Sequence, residues 1–154
     1  MKILVVEDKP EERDAALRQL SDHEVTTVGY FSGAAKALDK EIFDVVLTDL
    51  IMPSGYNDGD VLHPYGLTVA LKALSKGIQK IAIVSYGGGH DHEMMVPLRL
   101  HFNPTLLNNS NVRLLMFLNE GRRTNGCIVW EGDNEKGWQY ISKDWAEALK
   151  RLVE

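Results

Sequence analysis

The stretch ILVVED at residues 3–8 combines the two features that decide how this chain folds. Residues 3–6 form a continuous apolar run rich in β-branched side chains, which is typical of a strand buried on both faces of a parallel sheet. Two carboxylates, Glu7 and Asp8, follow where that strand ends. The stretch therefore predicts a central strand whose carboxyl end presents acidic side chains.

Strands and helices alternate along the rest of the chain. Further strands are predicted at residues 23–28, 44–50, 81–84 and 112–118, with an additional strand near the carboxyl terminus at residues 127–130. Helical patterns lie between them, and we expect Ser142 to cap the last helix. Alternation of this kind predicts an α/β fold, a doubly wound parallel sheet with helices on both faces.

Composition narrows the class of protein. The chain has 154 residues, which favours one domain, and 17 basic against 22 acidic residues give a net charge of −5. That balance disfavours a nucleic-acid partner, and the longest apolar run, at residues 114–118, is too short for a membrane span. A single cysteine, Cys127, excludes an internal disulfide. Together with charges too early for a signal peptide, this predicts a cytoplasmic protein.

Polar side chains end three of the predicted strands. Glu7 and Asp8 follow the first strand, Asp49 the third and Ser85 the fourth, and ligands bind beyond the carboxyl ends of such strands. Three neighbouring carboxylates repel one another unless a cation joins them, and Mg²⁺ prefers oxygen ligands. A carboxylate beside Mg²⁺ can attack phosphorus. The alternative for each residue alone is a solvated strand end or a helix cap.

Three segments resemble the receiver domains of response regulators, the CheY-like family. They are ILVVEDKP at residues 3–10, DVVLTDLIMP at residues 44–53 and IAIVS at residues 81–85. The resemblance implies a flavodoxin-like, five-stranded parallel sheet of order 2-1-3-4-5. It also identifies Gly66 with the glycine that opens the family's third helix.

The resemblance also implies a role for each residue of the acidic edge. Asp49 would be the phosphoryl acceptor and Ser85 the switch hydroxyl. Asp8, Asp49 and the backbone carbonyl of Ile51 would hold Mg²⁺, and Glu7 would act through a metal-bound water.

The match to the family is specific through about Ser85 and poor beyond it, and the segment at residues 53–66 is longer than in most receivers. We expect one receiver-like domain over residues 1–154, with insertions near residues 54–65 and near either 87–111 or 119–138. Family members end strand five with a lysine, usually followed by proline, that contacts the phosphoryl group. Here the strand ends FLNEG at residues 117–121, with no Lys-Pro pair after it. Arg122 and Arg123 are our candidates for partly replacing that lysine, because an arginine fork binds phosphate bidentately.

These features predict a stand-alone receiver domain rather than an enzyme. Its Asp49 would accept phosphate from a histidine kinase or phosphotransfer protein, and phosphorylation would change its affinity for a downstream protein. The alternative is a degenerate receiver-like interaction module that is not phosphorylated. A Mg²⁺-dependent phosphatase on the same fold is a third reading, which no Asp-x-Asp nucleophile pair at the end of a predicted strand supports. A zinc site at His90, His92 and Glu93 is disfavoured, because His-x-His is not a helical ligand spacing.

Overall fold

The computed structural model describes residues 1–57, 59–86, 106–109, 112–119, 123–124, 127–128, 130–133, 138–140 and 142–154. The helices in these ranges are α1 (Pro10–Gln19), α2 (Phe31–Lys40), α3 (Tyr65–Ser75) and α4 (Trp145–Val153). The first strands are β1 (Lys2–Val6), β2 (Glu24–Val28), β3 (Val45–Thr48), β4 (Lys80–Tyr86), β5 (Leu106–Asn109) and β6 (Val112–Asn119). Shorter strands follow: β7 (Arg123–Thr124), β8 (Cys127–Ile128), β9 (Trp130–Asp133) and β10 (Trp138–Tyr140).

The main sheet has the order β2-β1-β3-β4-β6-β5. Its first five members run parallel, so the predicted order 2-1-3-4-5 is confirmed, with β6 in the fifth position. The sequence did not predict β5, which pairs antiparallel with β6. The additional strand expected near the carboxyl terminus is divided between β8 and β9. These two strands belong to separate two-stranded antiparallel sheets rather than to the main one.

Two apolar layers enclose the main sheet. On one face, Leu4 and Val6 of β1 pack in a cluster with residues of α2 and α3. On the other face, Ile3 and Val5 pack with α1 and α4, whose Trp145 is fully buried. Successive side chains of β1 thus alternate between two cores, which explains why this strand is apolar throughout.

The last helix begins later than the sequence suggested. Asp144, rather than Ser142, is its N-cap, and the Asp144 carboxylate accepts a hydrogen bond from the Glu147 backbone N–H at 2.9 Å. An aspartate at this position satisfies an otherwise unpaired helix N–H group. The prediction for Ser142 was therefore wrong, and Ser142 and Lys143 precede the helix.

The segment between β3 and α3 folds back on itself. Met52 and His63 exchange backbone hydrogen bonds at 3.0 and 3.1 Å. The carbonyls of Pro53 and Ser54 accept from the first residues of α2, at 3.1 and 2.8 Å. The long loop predicted here is thus closed at its base and anchored to the start of α2.

Among the described residues there is no helix with both the length and the apolar character that crossing a bilayer requires.

Candidate functional site

Three carboxylates meet where β1 and β3 end. These strands are parallel neighbours, with Val6 opposite Thr48, so Glu7, Asp8 and Asp49 emerge side by side. One carboxylate oxygen from each lies within 4.8 Å of the others. The structure therefore brings together the three acidic residues that the strand pattern predicted to converge.

Asp49 is held in one orientation by its own chain. Its backbone N–H donates to the Val6 carbonyl at 2.7 Å, which continues the β1–β3 pairing. Its Oδ1 accepts the Leu50 N–H at 2.7 Å, and the side chain is largely buried. A carboxylate fixed in this way is a preorganised ligand or nucleophile.

The loop after β1 is fixed by Arg13 of α1. One guanidinium nitrogen, Nη1, donates to the carbonyls of both Glu7 and Asp8 at 2.8 Å. Glu7 is fully buried, and its Oε1 accepts the Lys9 N–H at 3.2 Å. Burial raises the pKa of Glu7 above its usual range; Lys143 opposes the shift and the charge of Asp49 adds to it.

A lysine from the far end of the chain enters the same cluster. Lys143 Nζ lies 2.5 Å from Glu7 Oε2 and 2.8 Å from Asp49 Oδ1, and only 1% of the side chain is exposed. Burial alone would lower the pKa of Lys143, but the attraction of Asp49 and Glu7 outweighs it and raises that pKa. The ammonium group therefore stays charged at neutral pH and joins the ends of β1 and β3.

Lys143 was not predicted from the sequence, because family members carry their phosphoryl-contacting lysine at the end of the fifth strand. Lys143 lies 24 positions after Asn119, the last residue of β6, and immediately before the N-cap of α4. The sequence feature that could have indicated Lys143 is its position just before the last amphipathic helix. Arg122 lies outside the described residues, as does the side chain of Arg123, so their role stays a prediction.

Two further residues of the predicted site, Ser85 and Ile51, are buried near the end of β3. Ser85 is buried in β4, two positions beyond Ile83, which pairs with Thr48. It therefore extends past the end of β3 toward the edge where Asp49 lies, and its switch role stays a prediction. Ile51 is buried two positions beyond Asp49, and metal ligation by its carbonyl likewise stays a prediction.

Gly66, at the start of α3, lies against the backbone of Asp49. Its N–H donates to the Leu50 carbonyl at 3.0 Å. A Cβ atom at this position would stand 2.0 Å from the Asp49 carbonyl oxygen and 2.8 Å from Leu50 Cα. The absence of a side chain at residue 66 is therefore what lets α3 approach the acidic edge.

The donor set fits a hard divalent cation. Glu7, Asp8 and Asp49 offer carboxylate oxygens, the ligand type that Mg²⁺ prefers. When all three are ionised, these carboxylates outnumber the ammonium group of Lys143, and such an ion would neutralise the excess negative charge and favour the ionised form of Glu7. His90, His92 and Glu93, at which a zinc site was disfavoured, lie outside the described residues.

Solved structures with the same fold are response-regulator receivers. TrrA from Thermotoga maritima, crystallised in complex with Mg²⁺-BeF, is 22% identical, with 79% of this chain and 88% of that chain covered and a TM-score of 0.51. The HemR receiver domain from Leptospira biflexa is 16% identical, with 99% and 94% covered and a TM-score of 0.53. RcsB from Salmonella enterica, bound to a promoter in the presence of BeF3⁻, is 16% identical, with 100% and 99% covered and a TM-score of 0.55.

No protein-family model and no curated protein matches this chain. The solved structures therefore establish the fold: the chain has the CheY-like receiver fold, as the three sequence segments predicted.

Proposed function

We propose that this chain is a receiver domain that accepts a phosphoryl group on Asp49 and thereby regulates the binding of another protein. The observation that carries the proposal is the position of Asp49 between two carboxylates and a buried ammonium group at the edge of a receiver fold. The Mg²⁺-BeF complex of TrrA, a protein of the same fold, supports it. The phosphoryl donor would be a histidine kinase or a phosphotransfer protein.

Each acidic residue has a defined part in the proposed reaction. An oxygen of Asp49 forms the new bond to phosphorus as the phosphorus–nitrogen bond of a phosphohistidine breaks, and the imidazole leaves. Asp8, Asp49 and the Ile51 carbonyl would hold Mg²⁺, with Glu7 behind them. When bound, the ion supplies positive charge to the transferring group.

Lys143 supplies the second cation. Both the Leu50 N–H and the Lys143 ammonium group engage Oδ1 of Asp49, so Oδ2 is the oxygen that these two contacts leave for phosphorus. An ammonium group already beside the acceptor can pair with a phosphoryl oxygen as charge develops. We assign to Lys143 the role first suggested for Arg122 and Arg123. Residues 119–138 would then be an insertion within one domain, between the fifth strand and its lysine.

The intact mass of the protein tests the proposal. After incubation with acetyl phosphate and Mg²⁺, we expect the wild type to gain the mass of one phosphoryl group, which hydroxylamine removes. Asp49→Asn should gain none, while Asp14→Asn, which alters an exposed carboxylate of α1, should behave as the wild type. If the wild type gains no mass with any phosphodonor, this proposal fails. The alternative, a degenerate receiver-like interaction module that is not phosphorylated, then takes its place.

Metal binding gives a second prediction. Mg²⁺ at saturating concentration should raise the melting temperature by several degrees, because a ligand at 100 times its Kd adds about 2.7 kcal/mol to the stability. Asp8→Ala should abolish that shift and Asp14→Ala should keep it. Differential scanning fluorimetry with and without MgCl₂ measures both, and an undiminished shift in Asp8→Ala would remove Asp8 from the ligand set.

A further inference from the structure

Lys143 reaches the acidic edge without the support of a strand. It lies in the short segment between residue 141 and the N-cap of α4. A long flexible side chain has many conformers, and fixing one of them costs conformational entropy. Contacts to the backbone around Lys143 must therefore decide where its ammonium group lies.

Two side chains of α1 hold that backbone. The carboxylate of Glu12 accepts the Lys143 N–H at 2.9 Å, and Glu12 is fully buried. The amide of Gln19 donates from Nε2 to the Lys143 carbonyl at 2.9 Å. Both backbone polar groups of Lys143 are thus bound by residues two helical turns apart on one helix.

Gln19 also binds the residues on either side of Lys143. Its Nε2 lies 3.2 Å from Ser142 Oγ, and its Oε1 accepts the N–H groups of Trp145 and Ala146 at 2.7 and 3.2 Å. Those two N–H groups belong to the first turn of α4 and have no partner within that helix. The side-chain amide of Gln19 therefore fixes both the residue that precedes Lys143 and the first turn of α4.

The same helix holds the backbone of Glu7, which carries one of the two carboxylates that Lys143 meets. Arg13 of α1 binds the carbonyls of Glu7 and Asp8, while Glu12 and Gln19 bind Lys143. One rigid element thus sets the distance between the ammonium group and the acidic loop. Displacements of about 1 Å at a reacting site can cost a hundredfold in rate, so this shared support matters.

We propose that Glu12 and Gln19 are positioning residues that place Lys143 for contact with the phosphoryl group on Asp49. The part concerning phosphoryl contact rests on the proposed function, whereas the placement of the ammonium group does not. Both residues act through Lys143. Their hydrogen bonds to its backbone take the place of the support that the end of a strand would give.

The first experiment needs neither metal nor phosphodonor. In the wild type, the buried Lys143 ammonium group should give a slowly exchanging ¹H–¹⁵N resonance, assigned by its loss in Lys143→Met. Gln19→Ala should broaden or shift this resonance. Arg18→Ala, an exposed neighbour on α1, should leave it unchanged. An unaltered resonance in a folded Gln19→Ala would overturn the positioning role.

Glu12 offers a matched pair of variants for the same measurement. Glu12→Gln keeps an oxygen that can accept the Lys143 N–H, and Glu12→Ala does not. We expect the Lys143 resonance to survive in the first variant and to broaden in the second. Equal loss in both would assign the effect to the charge of Glu12 and contradict a backbone-holding role.

A double-mutant cycle separates positioning from a general effect on folding. Beryllofluoride affinity with Mg²⁺, followed by ¹⁹F NMR, should fall about tenfold in Gln19→Ala and less than twofold when Lys143→Met is already present. Equal factors in the two backgrounds would show that Gln19 acts independently of Lys143. If the wild type binds no beryllofluoride, the proposed function fails, and the ammonium resonance alone decides the placement.

Discussion

Lys143→Met is expected to lower the free energy of unfolding by about 3 kcal/mol in Mg²⁺-free buffer at neutral pH, at the low end for a broken buried ion pair. The ammonium group touches both Glu7 and Asp49, and its removal leaves two buried carboxylates facing each other. Glu7 limits the loss, because burial has already raised its pKa and it can take up a proton.

Urea denaturation measures this change, with Lys150→Met as the matched control. Lys150 lies on α4, is 61% exposed and stands 3.9 Å from Glu154, so its loss should cost less than about 0.5 kcal/mol. Mg²⁺ should restore part of the stability of Lys143→Met, since a divalent ion supplies the missing charge. Similar losses in the two variants would contradict the structural ion pair.

Gly66→Ala is expected to cost about 3 kcal/mol or more, the upper part of the range for overpacked cores. Its Cβ atom would stand 2.0 Å from the Asp49 carbonyl oxygen, a backbone atom that cannot rotate away. Either α3 or the Asp49 segment must move. We therefore expect Gly66→Ala also to weaken Mg²⁺ binding, which the melting-temperature shift would report.

Gly77→Ala is the control that separates the cost of a steric contact from the cost of an unfavourable backbone conformation. Gly77 follows α3 with φ at 83°, and no atom lies within 4 Å of a Cβ built there. Alanine at this position should cost only about 1 kcal/mol, from the left-handed backbone alone, and should leave Mg²⁺ binding intact. If Gly66→Ala costs no more than Gly77→Ala, the close approach to Asp49 is not the reason for glycine at residue 66.

Local pattern was sufficient to predict the sheet and its acidic edge. The runs at residues 3–6 and 45–47 are apolar throughout because both faces of the sheet are covered, and a parallel arrangement puts the ends of neighbouring strands together. Glu7, Asp8 and Asp49 could therefore be predicted to meet. The capping of α4 was predicted less well, because Ser142 and Asp144 are both good cap residues and their surroundings decide between them.

The sequence by itself thus determined the fold class and the three carboxylates, which follow from periodicity and strand ends. The strand order came from the resemblance of three segments to receiver domains. Only the tertiary structure revealed Lys143, whose ammonium group meets Glu7 across 136 positions of sequence. The physical reason is that its place depends on side-chain hydrogen bonds from α1, at Glu12 and Gln19, rather than on any strand or local repeat. Contacts between such distant segments leave no periodic trace, and they form only when α1 and α4 pack on the same face of the sheet.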